Sequence, residues 1–342
     1  MSDEFIGKLE SFSRVLFSTH EQPDADGIGT AMGLAWHLHK LGKATRIVVT
    51  PKLPGFLEFL DTEGWIECFD LDVHRDIAAW PDCWVLADAS ELSRLGQLKG
   101  SFLETAASKA CIDHHLPGNS MEVFDFARID SNASSTCELA LHALGYSDGY
   151  LGGSSESFPV GMPLAMAQAL YAGLADDTGN FRFSNTTPTV LKMAAALVEK
   201  GVRPDVVYSG LYNQGTLAKM RLSGRAFERM RMYCDERLAV ITASLADMES
   251  VGAVHEDLDG LVNKPMGLRT VEVSVLVYEK PDGRIKASMR SKSRVDVNAV
   301  CRLFGGGGHR LASGATFTSS MTSVLEEIVP AITARIEQDI ER

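Results

Sequence analysis

At 342 residues, with 45% hydrophobic and 23% charged side chains, the chain has apolar material for about two packed domains and too much of it for a disordered polymer. A formal charge of −12 excludes a long track along duplex or extended nucleic acid, which needs a basic surface, but leaves room for a short anionic substrate at a local cationic patch. Cys68, Cys83, Cys111, Cys137, Cys234 and Cys301 form no C-x-x-C pair and no apolar run is long enough for a bilayer, so we expect neither zinc knuckle, disulfide framework nor membrane partner, in a reducing, cytoplasmic setting.

From the start, strand-like and helix-like runs alternate. Arg14 to Thr19 reads as a strand, Gly27 to Leu41 as a helix and Thr45 to Thr50 as a strand, a rhythm that predicts a parallel α/β sheet. Between the first two lies His20-Glu21-Gln22-Pro23-Asp24-Ala25-Asp26-Gly27, which puts an imidazole and two carboxylates on one tight loop. Turn and N-cap duty accounts for Asp24 and Asp26 at least as well at this point. Cys83 to Ala87 and Lys109 to Ile112 are apolar runs that end in Asp88 and in Asp113-His114-His115, and ligands gather at the carboxyl edge of a parallel sheet. Each acid alone would serve as a loop cap, and adjacent loop histidines are common. A helix is expected from Pro163 to Ala175, leading into Asp176-Asp177-Thr178-Gly179, and another from Pro188 to Lys200. Four strand or helix ends thus deliver carboxylates and imidazoles to one sheet edge, which coincidence explains poorly. Without thiolates, such a set favours Mn²⁺ or a similar ion over structural zinc.

Gly201 to Pro204 breaks the pattern, and a polar helical segment follows to about Met232. The expected division is therefore a domain at 1–200, a helical linker at 201–232 and a second domain at 233–342. In the last, Arg237 to Leu245, Val271 to Glu279 and Arg284 to Met289 read as strands, and Asp296 to Leu303 and Ser323 to Glu337 as helices. Gly305-Gly306-Gly307-Gly308-His309 is no Walker loop, since no Lys-Ser or Lys-Thr follows, and it lacks the context of a dinucleotide fingerprint. Its glycines would let backbone N–H groups approach an anion, or else form a hinge or tight turn. Nearby Arg290 offers a planar fork for phosphate, while Lys292 and Arg294 also read as a solvated basic edge. His37 and His39, in the first helix-like segment, read as facing neighbouring packing or solvent, and His74, His142 and His255 carry no acidic partner pattern. Phe158, Phe181 and Phe183 read as core or lobe-interface residues rather than base-stacking platforms, with Phe181 and Phe183, close to Asp177, as candidates for the border of a cleft.

The order His-x-x-Pro-Asp-x-Asp, isolated Asp, Asp-His-His and Asp-Thr-Gly resembles the DHH phosphoesterase superfamily over nearly the whole chain. The Gly305 to His309 element resembles the DHHA1 lobe of the subgroup with nanoRNases, 3'-phosphoadenosine 5'-phosphate (pAp) phosphatases and linear or cyclic dinucleotide phosphodiesterases. Thr30 stands where Ser is frequent, and Asp176 beside Asp177 leaves two candidates for one ligand; Asp177, directly before Thr178-Gly179, fits the pattern. The resemblance implies a parallel-sheet DHH domain followed by a smaller α/β DHHA1 domain. It also implies two divalent ions, Mn²⁺ ahead of Mg²⁺ or Co²⁺, one held by His20, Asp24 and Asp88 and the other by Asp26, Asp88, His114 and Asp177. Asp88 would bridge them. A hydroxide shared between the ions would attack phosphorus while His115 and Arg290 steady the charge. His115, Arg290, Gly306, Gly307, Gly308 and His309 would meet the substrate as the second lobe closes over the first.

Short oligoribonucleotides or pAp are the expected substrates, with a cyclic or linear dinucleotide (cyclic diadenylate or its linear form) as the alternative. A nucleotide-binding regulatory protein without turnover is the alternative of another class. Inorganic pyrophosphatase is disfavoured by the glycine-rich element, a large single-strand exonuclease by chain length. A homodimer is compatible with the resemblance.

Overall fold

The computed structural model describes residues 3–118, 121–145 and 162–340, in two compact units, 1–214 and 215–342. Residues 201–232 divide between them, and Phe158 lies outside the described residues. Among the described residues no helix is long and apolar enough to cross a membrane.

The first unit is built on strands β1 (Arg14–Ser18), β2 (Ala44–Val49), β3 (Ile66–Cys68), β4 (Cys83–Ala87), β5 (Ser108–Asp113) and β6 (Phe126–Ile129), with helices α1 (Glu4–Glu10), α2 (Ala25–Lys40), α3 (Leu98–Glu104), α4 (Thr136–Ala143), α5 (Leu164–Asp177), α6 (Pro188–Glu199) and α7 (Pro204–Tyr212). All strand pairings are parallel, in the order β3-β2-β1-β4-β5-β6. The order reverses between β1 and β4, and a parallel sheet opens a crevice at the carboxyl ends of the strands flanking such a reversal. His20 to Asp26 follow β1 and Asp88 follows β4, so these motifs flank that crevice.

Both faces of the sheet are covered at its centre, which is why β1 from Val15 on and all of β4 are buried without alternation. Val15, Phe17, Val85 and Ile112 pack on one side with α2 and α5, and Leu16, Trp84 and Leu86 pack on the other with Leu98 and Phe102 of α3. Each such side chain fully buried stabilises the fold by about 1.5–3 kcal/mol. Glycines bring α2 against α5: a Cβ on Gly29 would lie 2.4 Å from the Ala169 carbonyl oxygen, and one on Gly33 2.6 Å from Leu170. Helix α2 begins at the sheet edge where α5 ends, so this contact also brings Asp26 and Asp177 to the same place.

The second unit holds α8 (Leu217–Glu228), β7 (Arg231–Tyr233), β8 (Leu238–Ala243), α9 (Leu245–Val251), β9 (Val273–Glu279), β10 (Ile285–Ser291), α10 (Val297–Leu303), β11 (Gly307–His309), β12 (Ala312–Phe317) and α11 (Met321–Ile340). Its mixed sheet runs β11-β12-β10-β9-β8-β7. Strand β10 alternates strictly: Ile285, Ala287, Met289 and Ser291 are buried, and Ile285, Ala287 and Met289 belong to a core with α10 and α11, so Lys286, Ser288 and Arg290 occupy the opposite face. The glycine run is not a free loop. Gly305 (φ +70°) ends α10, and Gly307 to His309 form an edge strand.

Candidate active site

Four chain ends meet at the edge of the first sheet. Asp24 caps α2, its Oδ1 accepting the N–H groups of Asp26 (3.2 Å) and Gly27 (3.0 Å). Its other oxygen, Oδ2, lies 3.3 Å from Nε2 of buried His20. Capping and site duty, alternatives on the sequence alone, are thus carried by different oxygens of one carboxylate. Asp88 divides in the same way. Its Oδ2 is 3.3 Å from His20 Nε2, while Oδ1 faces His115 Nδ1 (3.3 Å) and His114 Nε2 (3.7 Å) and accepts the Thr136 hydroxyl (2.8 Å).

Asp88 is also left-handed, at φ +59°. Strain of this kind costs about 1–3 kcal/mol and persists where the surroundings impose it. Here its N–H is held by the Ile112 carbonyl (2.9 Å) and its carboxylate by Thr136.

Asp26 is fully buried at the N-terminus of α4, accepting the backbone N–H of Thr136 (2.6 Å) and Cys137 (2.8 Å). Two of the helix's unpaired N–H groups and its dipole therefore hold the carboxylate. His114 Nε2 lies 3.9 Å from Asp26 and 2.9 Å from Asp177 Oδ2. Its Nδ1 donates to the Ala133 carbonyl (3.3 Å), which can only accept, so Nε2 is the nitrogen aimed at the acids: protonated against Asp177 without an ion, and able to offer its lone pair to one once that proton leaves. His115 is turned the other way: its Nδ1 donates to Asp113 Oδ1 (2.8 Å), so its acids lie at Nδ1 rather than at Nε2, and Asp113 in turn accepts from Ser90 N–H (2.6 Å). That leaves its Nε2 for solvent or substrate.

Two sets of ligand atoms each lie within 4.8 Å of one another, His20 with Asp24 and Asp88, and Asp26 with His114 and Asp177; Asp88 with His114 and His115 forms a third. These donor sets fit divalent cations. His20 Nε2 is buried and makes no hydrogen bond of proper geometry, although it faces two carboxylate oxygens at 3.3 Å. Ligands of an ion bound at about 2.1 Å sit about 3 Å apart, so a cation satisfies that arrangement where a proton does not. Among the described residues no Lys or Arg forms an ion pair with Asp24, Asp26, Asp88 or Asp177.

Metal-free electrostatics record this crowding. Burial, then the charges of Asp177 and Asp88, pushes the Asp26 carboxyl well above its usual range. Burial would lower the His20 and His114 imidazoles, but contacts with Asp24 and Asp88, and with Asp177 and Asp26, raise both to about 9. Asp113 and Asp88 raise His115 to about 10. Burial would lift Asp88 too, but His115 and His20 hold it below the usual range.

Asp176 stands apart. Its oxygens accept the Ala25 N–H (3.4 Å) and the Tyr212 hydroxyl (3.2 Å), and it joins none of the ligand sets. Burial and the Asp24 charge raise its carboxyl to about 6. Helix α5 runs through Asp177, past the expected end at Ala175, so both acids project from a helical turn rather than a loop.

Reading the sequence alone overlooks Thr136 and gives Asp113 no part beyond a strand-end acid. Asn132-Ala133-Ser134-Ser135-Thr136 before an apolar run is an N-cap signal that would locate α4, whose cap is Ser135. Nothing local announces that its first turn reaches Asp26 and Asp88.

In the second unit, Arg290 and His309 both pair with Ala312 in the sheet register. Directly opposed residues share a face, so Arg290 and His309 flank a small residue at a spacing of about 10 Å between their strands. Ser288, Gly314 and Gly307 share a second such row. The glycines differ in need: a Cβ on Gly306 would sit 2.3 Å from the Gly314 carbonyl oxygen and one on Gly308, at φ +140°, 2.6 Å from that of Ala312, whereas Gly307 meets nothing within 4 Å.

Comparison with known proteins finds relatives along nearly the whole chain. The DHH family, N-terminal domain, matches residues 14–174, and the DHHA1 domain matches 239–340. A bifunctional oligoribonuclease and PAP phosphatase NrnA of Thermus thermophilus is 29% identical, over 93% of this chain and 89% of that protein. The protein of the same description from Bacillus subtilis is 25% identical over 93% and 94%. Among solved structures, an exopolyphosphatase-related protein from Bacteroides fragilis superposes with a TM-score of 0.86 at 23% identity, over 99% of this chain and 98% of that one.

Proposed function

The chain belongs to the DHH family and carries a DHHA1 domain, and from that premise we propose that it is a phosphoesterase of short nucleotides, cleaving di- to pentanucleotide RNA and removing a phosphate from pAp. The reading rests above all on Asp88, whose two oxygens face His20 on one side and His114 and His115 on the other. His20, Asp24 and Asp88 would hold one divalent ion and Asp26, Asp88, His114 and Asp177 a second, with Mn²⁺ suited to this mixed oxygen and nitrogen set. When bound, such a pair activates water as a nucleophile and offsets charge building on the phosphate oxygens.

The chain's own groups orient and bind. Thr136 and the first turn of α4 fix Asp88 and Asp26, so little rearrangement remains at the moment of reaction. Asp113 clamps the His115 ring so that its Nε2 can donate to a phosphate oxygen. Arg290 supplies a planar fork for a second phosphate, with His309 beside it on the same sheet face.

A substrate panel tests the reading: pAp, RNA of two to five nucleotides, linear and cyclic diadenylate, and pyrophosphate, each with Mn²⁺, Mg²⁺ or Co²⁺. Release of phosphate from pAp and of mononucleotides from short RNA, fastest with Mn²⁺, is expected. Faster turnover of cyclic diadenylate would move the substrate class, and nucleotide binding without turnover under any ion would make the protein a binding module.

A further inference from the structure

The segment after Asp177 carries an aromatic ring that the chemistry above does not use. Gly179, Asn180 and Phe181 have φ of +58°, +58° and +62°, three left-handed residues in a row, which side-chain-bearing residues adopt only under constraint. Thr178 supplies that constraint. Its hydroxyl accepts the Phe181 N–H (3.0 Å) and donates to the Leu174 carbonyl (2.6 Å), while its carbonyl accepts the N–H groups of Arg182 (2.9 Å) and Phe183 (3.0 Å). The turn sends two phenylalanines to different fates. Phe181 packs edge-on against Tyr171 at 5.6 Å, whereas Phe183 is 53% exposed. The Phe183 ring rests on Gly179 so closely that a Cβ there would lie 2.4 Å from Cζ. Arg182 donates from Nε to the Gly179 carbonyl (2.7 Å) with its guanidinium 5.6 Å from the Phe183 ring centre, and no carboxylate pairs with it among the described residues.

An exposed ring and an uncompensated guanidinium are thus fixed on a rigid turn that starts one residue beyond an acid of the cluster. We propose that Phe183 is the platform on which a nucleobase of the substrate stacks, with Arg182 bracing the ring and offering its remaining N–H groups to the same nucleotide; this rests on the short-nucleotide reading above. A flat apolar ring takes any base face, and arginine beside it adds a cation–π contribution. The subsite would therefore bind bases with little sequence preference, as an enzyme of assorted short oligonucleotides requires.

The test compares kcat/KM for pAp with that for ribose 3',5'-bisphosphate, which lacks the base, on the full chain with Mn²⁺. The wild type should prefer pAp. Phe183→Ala should shrink that preference by about 5- to 150-fold, the range for one stacked base, and Phe183→Trp should restore it. An unchanged preference in Phe183→Ala, or an equal fall on both substrates, overturns the subsite and makes the ring structural or an interface residue. Calorimetric binding of AMP against ribose 5-phosphate reads the same contact without turnover. If the wild type hydrolyses neither bisphosphate but discriminates AMP through Phe183, the activity falls and the subsite stands; no discrimination in binding overturns the subsite itself.

Discussion

The acid cluster of the first unit and the glycine strand of the second are both short polar segments at a sheet edge, yet they are held in opposite ways. Around Asp88 the groups are buried, fixed by Thr136, the first turn of α4 and Ala133, and crowded with negative charge that only cations relieve. Around His309 the strand is exposed, Arg290 makes one local bond to the Met289 carbonyl, and small residues leave space between the two side chains. The first region's donor sets fit cations, and the second, on the function proposed above, would take an anion. Chemistry should therefore belong to the first and binding to the second.

The hardest blow to that contrast is Asp88→Ala, for which we expect kcat to fall by about 10³-fold or more with the fold retained by circular dichroism. Near wild-type Mn²⁺-dependent turnover would remove Asp88 from its bridging place. Arg290→Ala should instead raise KM by about 10- to 100-fold with a smaller change in kcat, the loss of a charge-assisted hydrogen bond. A kcat collapse matching Asp88→Ala would end the division of labour.

Within the glycine strand, Gly306→Ala forces a Cβ against the Gly314 carbonyl and should destabilise by about 1–3 kcal/mol in thermal melts. Gly307→Ala has space, so its Tm should hold while pAp binding weakens; a matching loss of Tm would make that glycine structural as well. Thr136→Val removes one bond to Asp88 and should weaken Mn²⁺ binding about 10-fold in a metal titration.

The smallest effect is a slope. In chelated protein His20 and His114 hold their protons up to about 9, against 6.5 for an ordinary imidazole, so their contribution to stability is complete below about pH 6.5 and is lost as pH rises through about 9. Tm without metal should therefore decline across that window. Saturating Mn²⁺ takes the unprotonated imidazoles and should reverse the slope, and parallel slopes with and without the ion would detach these histidines from metal binding.

Much of the first region is legible locally. A short apolar run followed by an acid, as at Cys83–Ala87 before Asp88 and Ala110 to Ile112 before Asp113, reports a buried parallel strand and the edge at which it stops. Motif order then singled out Asp24, Asp26, Asp88, His114 and Asp177 as a set. The glycine run was harder to place, because four glycines carry no period-two alternation and their strand exists only through pairing with β12. Phe181 and Phe183 illustrate the same limit: two residues apart and alike in type, one is packed and the other exposed, and three left-handed residues decide which.

By itself, then, the sequence determined the alternating sheet, the acids at its strand ends and the family they belong to, since each is written in neighbouring residues or in motif order. Tertiary structure alone decided which oxygen of Asp24 caps and which faces His20, how Asp88 splits between imidazoles, that Thr136 reaches it across 48 residues, and that Arg290 and His309 share one face. The reason is physical: helix and strand periodicity act over a few residues, whereas the aim of a single oxygen is set by groups that only packing brings together.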